Sequence, residues 1–136
     1  MKKIPSIMIV VWGIAVLCTL FLSSCKRPEV LDNSTLVNSA RNVALTFGPA
    51  YVPFFKEANV SDVQVFKKED YGDSFSEIQK QFGRKYYTIT FTYDSTAVKF
   101  DFGFAARVRI WKDTGEPLDV IFGNGWGRNF FFLSFK

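Results

Sequence analysis

The chain has 136 residues, a formal charge of +4, no histidine, two cysteines and 16 phenylalanines. Without histidine no Ser-His-Asp or Cys-His nucleophile can be assembled, and two cysteines alone do not complete a Cys/His zinc site. No Walker-type glycine loop and no basic stripe of the nucleic-acid-binding kind occurs, so no cofactor, metal or nucleic acid is expected.

Lys2 and Lys3 open the chain and a mostly apolar run follows from Ile7 to Leu22, the pattern of a secretory leader. The run ends in Leu22-Ser23-Ser24-Cys25, which resembles the bacterial lipobox: an aliphatic residue, two small residues, then cysteine. The resemblance implies cleavage before Cys25, a diacylglyceryl group on its thiol and an acylated amine. One acyl chain binds a bilayer marginally, but each buried methylene adds about 0.8 kcal/mol, so two or three chains hold firmly. The expected organisation is a signal peptide over 1–24, a lipidated tether over 25–33 and a single α+β domain over 34–136. Cys18 would leave with the leader and Cys25 would be consumed by lipid, which excludes a disulfide. Lys26 follows the modified cysteine; by resemblance to lipoproteins of diderm bacteria it points to the outer membrane, with the leaflet left open.

Leu36, Val37, Ala40, Val43, Ala44 and Phe47 share one helical face, Asn33 or Ser34 offers an N-cap, and Gly48-Pro49 stops the helix. The stretch "AYVPFFKEAN" reads as a short helix or a turn, and "DVQVFKK" as the first strand. Ser74 and Glu77 match a capping box for a short helix that carries Phe75, Ile78 and Phe82 and ends at Gly83. From Lys85 the period is two, with Tyr87, Ile89, Phe91 and Tyr93 alternating with threonines. After a turn at "DST", the even positions from Val98 to Ile110 form an unbroken apolar stripe, which predicts one long strand bent near Gly103. "DTGE" turns the chain, Leu118, Val120 and Phe122 resume the stripe, and "FFFLSF" closes the domain as a last strand. The expected fold is α+β: a long N-terminal helix packed on a curved antiparallel sheet of about five strands.

The segments "VSDVQVFKKED", "YYTITFTYD" and "RVRIWKDTGEPLDVIF" in that order resemble the cystatin-like and nuclear-transport-factor-two-like domains carried by many small bacterial lipoproteins. The Gln-x-Val-x-Gly hairpin of cystatins is absent, so protease inhibition is not implied.

Catalysis is not expected. Glu69, Asp70 and Asp73 lie among lysines and read as a solvated loop, while Lys99, Asp101, Arg107 and Arg109 read as exposed cross-strand pairs. Two features point to binding. Trp126, between Gly125 and Gly127 and followed by Arg128, either presents its indole to a partner or folds back on the core. In the last strand, Phe131 and Phe135 face away from Phe130, so both faces need a cover. The second cover is the "AYVPFF" segment, a second copy, another protein or a lipid-like ligand. The expected function is a non-catalytic, lipid-anchored envelope lipoprotein, tied to the membrane through Cys25, that docks a protein partner or forms a homodimer. The alternatives are a binder of a small apolar ligand in a cone lined by Phe100, Phe102 and Phe104, or a periplasmic immunity or inhibitor protein using Trp126 and Arg128 as a plug.

Overall fold

In the computed structural model, which describes residues 31–71 and 76–131, the first element is helix α1, Asn33–Phe47. The leader, the lipobox cysteine Cys25, the start of the tether, Ser74 and Phe75 of the capping box, Asp73 and Phe135 lie outside the described residues. The N-cap of α1 is Asp32, one residue earlier than the expected Asn33 or Ser34. Its carboxylate accepts from the Thr35 amide at 2.7 Å and from the Ser34 hydroxyl at 3.1 Å, filling an amide that the helix itself leaves unpaired. The amide of Gly48 donates to the Ala44 carbonyl, and Pro49 then starts a 3-10 turn over Pro49–Phe54. That turn is the ambiguous "AYVPFF" segment; Pro53 removes an amide that a longer helix would require.

The strands are β1 (Ala58–Val60), β2 (Gln64–Val65), β3 (Lys85–Phe91), β4 (Ala106–Trp111), β5 (Pro117–Phe122) and β6 (Gly127–Asn129). They form one open antiparallel sheet in the order β1-β3-β4-β5-β6, with β2 also paired to β3. The molecule is therefore α+β, with six strands rather than about five. A four-residue helix, α2 (Ser76–Gln79), precedes β3.

Two strands differ from expectation. The strand expected at "DVQVFKK" is only the two-residue β2, since Phe66 turns inward to full burial, while β1 falls at the end of "AYVPFFKEAN", read as a short helix or a turn. The long strand over 98–110 is only β4; residues 101–105 bend, and the Ala105 amide donates to Phe91 while its carbonyl accepts from Gly123. The alternating phenylalanines ahead of it pack on other rings rather than in a ladder, and only Phe104 among them is buried. Among the described residues the last strand is Gly127–Asn129; most of the strand expected at "FFFLSF" falls in residues 132–136, outside the described residues.

Two cores result, one on each face of the sheet. Leu36, Ala40 and Ala44 of α1 cover Ile89, Phe91, Val108, Ile110, Val120 and Phe122, joined by Phe130. The opposite face carries Phe66, Ile78, Tyr86, Trp111 and Leu118, with Tyr71, Phe82 and Phe131 against them. Each fully buried side chain of this size contributes about 1.5–3 kcal/mol. Leu118 reaches that face through a bulge: Arg109 pairs with Asp119 but Ile110 pairs with Pro117, so Leu118 is the extra residue of β5. The second cover sought for Phe131 is thus the Phe66–Phe82 stretch, while Tyr51, Val52 and Phe55 of "AYVPFF" join the α1 side.

Candidate functional site

The molecule has two distinguishable ends. At one, the β4–β5 turn, the Leu31 side chain lies against Gly115, so the chain enters the domain here. α1 then carries it to the other end, where Gly48 backs onto the Phe122 ring.

That second end is aromatic. Phe122 stacks on Tyr51 at 4.6 Å and on Trp126 at 5.4 Å, and Phe100 contacts Tyr51, Phe54 and Tyr93 at 5.6, 5.8 and 4.8 Å. Phe102 lies parallel to Phe104, with ring centroids 5.5 Å apart. The bend ahead of β4 is tied to the β5–β6 turn by the Phe102 amide, which donates to Gly123 at 2.9 Å. The turn itself needs Gly125, at φ +86°, and the Asn124 side chain accepts from the Trp126 amide at 3.1 Å. The inner rings fill one another's space, while Trp126, Phe102 and Phe54 remain 49%, 45% and 40% exposed. The Trp126 ring thus stacks on Phe122 while about half of the residue stays exposed.

The face of the sheet opposite α1 carries a polar cleft of about 580 Å³. Strand register builds it in rows. Thr90 of β3, Arg107 of β4 and Ile121 of β5 are direct neighbours, and so are Thr88, Arg109 and Asp119. Tyr71 and Tyr86 close one end, and Ser61 and Gln64 of the β1–β2 edge form a wall. Asp119 is buried and accepts from Arg109 Nε at 2.9 and 3.1 Å, while Arg109 Nη2 also reaches Asp119 and the Tyr71 hydroxyl. Burial alone would lower the Arg109 pKa, but the Asp119 carboxylate outweighs it and fixes the guanidinium as charged. Burial pushes the Tyr71 phenol up. The exposed Arg107 is different: its guanidinium rests on the Phe104 ring at 4.3 Å, and among the described residues no carboxylate pairs with it.

Of the residues singled out from sequence, Trp126 is at the aromatic end and Arg128 is exposed beside it in β6, its guanidinium 5.1 Å from the Phe47 ring centre. Phe131 is not a surface residue; it is half-buried against Phe66 and Tyr71 in the second core. Phe100, Phe102 and Phe104 line no common cone: Phe104 is buried beneath Phe102, and Phe100 belongs to the Tyr51 cluster. Arg109 is no exposed pair partner, and Lys99 and Asp101 lie outside any strand. The cleft was missed because it needs the β1–β2 edge and Tyr71 brought over β3 and β4; only the parity of Thr88, Thr90, Arg107 and Arg109 hinted at a shared polar face. No family model, curated protein or solved structure matches the chain.

Proposed function

We propose that this protein is a non-catalytic lipoprotein of the bacterial cell envelope, anchored through Cys25, that docks a protein partner through its aromatic end. The single observation that carries the docking is the grouping of exposed Trp126, Phe102 and Phe54 at the end of the sheet remote from Leu31. A monomer does not expose large rings together without need, and rings of this kind dominate binding energy at protein interfaces. Residues 25–30 can span at most ~20 Å, so a lipid on Cys25 keeps the β4–β5 turn near the bilayer. The strands and α1, about 20 Å long, put the rings on the far side, free to meet a partner rather than lipid. The segments between residues 60 and 122 on which the cystatin-like resemblance rests serve here, with α1, as a scaffold. The apolar-ligand alternative loses support because the rings that were to line its cone pack on one another.

The test is mass spectrometry of detergent-extracted protein, denatured and then native. A denatured mass of residues 25–136 plus acyl groups, with a polypeptide bound in the native spectrum and lost in Trp126→Ala, is the expected result. An uncleaved chain contradicts the anchor; a native complex unaffected by Trp126→Ala contradicts the docking.

A further inference from the structure

We propose that the cleft opposite α1 is a second binding site, for a carboxylate or phosphate group carried on a ring or other apolar body, with Arg107 as the residue that reads the charge. The site is independent of the aromatic docking surface and goes beyond it. Its volume, about 580 Å³, is that of a small-molecule pocket.

The donors in it are unspent. Among the described residues neither the Arg107 guanidinium nor the Thr90 hydroxyl has a hydrogen-bond partner, and the two residues are direct neighbours across β3 and β4. Stacking on Phe104 holds the guanidinium plane but leaves its N–H groups, which lie in that plane, free for a planar or tetrahedral oxyanion. Among the described strand residues, the carboxylate on this face, Asp119, is already held by Arg109 and Tyr71, so it does not compete for Arg107. That pairing also leaves the cleft with the net positive charge of Arg107. Ile121, the direct neighbour of Arg107 across β4 and β5, supplies apolar wall beside the charge, and Tyr86 adds a ring further along the cleft, which a bare ion would not use. A neutral ligand would leave Arg107 facing an uncharged group, and a cation would be repelled.

Full-length protein in detergent is titrated calorimetrically with phenyl phosphate, benzoate, inorganic phosphate and the uncharged benzamide, at low ionic strength. Phenyl phosphate or benzoate binds, benzamide binds at least ~10-fold more weakly, and added salt weakens the anions. The preferred anion assigns the headgroup, and inorganic phosphate binding more weakly than phenyl phosphate assigns a role to the walls. Arg107→Gln weakens binding ~10-fold or more, with Arg107→Lys between it and the parent, because lysine keeps the charge but loses the fork. Position 107 is exposed, so the unfolding midpoint of both variants stays near that of the parent. No binding of either anion, equal affinity for benzamide, or unchanged affinity in Arg107→Gln overturns the proposal. Partner capture through Trp126 is scored in the same variants; its survival when anion binding is absent overturns this site alone.

Discussion

Arg109 and Asp119 show how differently two arginines on one strand can be used. With side chains 15% and 8% exposed, the pair has given up most of its water, and each ion depends on the other. Asp119→Ala leaves Arg109 charged and without its counter-ion, so it is expected to lower unfolding free energy by about 3–5 kcal/mol in a denaturant melt. Tyr71→Phe removes the hydroxyl that accepts from Arg109 and donates, at 3.5 Å, to Asp119, and is expected to cost about 1.5–3 kcal/mol. Arg107, two residues away and exposed, should tolerate substitution with almost no change. Acid sensitivity comes from other carboxylates: Asp94, Asp32 and Asp113, the last held low by hydrogen bonds from Arg84. Hydrogen bonds from Thr96, with Lys56 beside it, hold Asp94 at about 2 against an ordinary 3.8, and the Thr35 and Ser34 bonds lower Asp32 in the same direction. A depressed carboxylate stabilises the fold fully above its unfolded pKa and loses that contribution as pH falls through the folded value. The thermal midpoint should therefore fall between about pH 4 and pH 2, and Asp94→Asn should remove part of that slope. An Asp94→Asn variant with the parent's full acid slope would contradict the assignment.

Gly123 decides whether the β5–β6 turn can meet the bend ahead of β4. A Cβ there would sit 2.5 Å from the Phe104 carbonyl oxygen and 2.6 Å from the Phe100 ring, and a backbone atom cannot swing aside as a side chain can. Gly123→Ala is expected to cost about 1–3 kcal/mol by overpacking and to weaken partner docking as well, since Phe102 and Trp126 flank that contact. An unchanged melt would contradict it. The same contact explains which elements were legible in the sequence. α1, β3 and the apolar stripe of β5 follow from local period, so the α+β class and the helix-side core could be read directly. The even stripe from Val98 to Ile110 looked like one strand because Phe100, Phe102 and Phe104 keep the period of a ladder. Phe100 packs on Tyr51 and Phe54 and Phe104 on Phe102 instead, and nothing local announces those partners. The bulge at Leu118 was likewise hidden, since the run Leu118, Val120 and Phe122 reads as one face while the register puts Leu118 on the other. The exposure of Trp126 was hinted at by its flanking glycines. The cleft was not, because its walls come from segments far apart in the chain.

At the scale of the whole domain, Leu31 lies at one end and the exposed rings at the other. Two cores on opposite faces of the sheet leave little of its apolar surface uncovered, so the rings still exposed at Trp126, Phe102 and Phe54 have no structural task that accounts for their exposure. The opposed ends make the central claim measurable by position. A photoreactive benzophenone side chain is placed at Trp126 in one strain and at Thr114, in the β4–β5 turn, in another; both are irradiated in the intact host, and the cross-linked proteins are identified. The account predicts a discrete cross-linked protein from position 126, lost on Phe102→Ala, and none of the same mass from position 114. The same adduct from both positions, or none from 126 while 114 reacts, would contradict a partner docked at the end remote from the lipid.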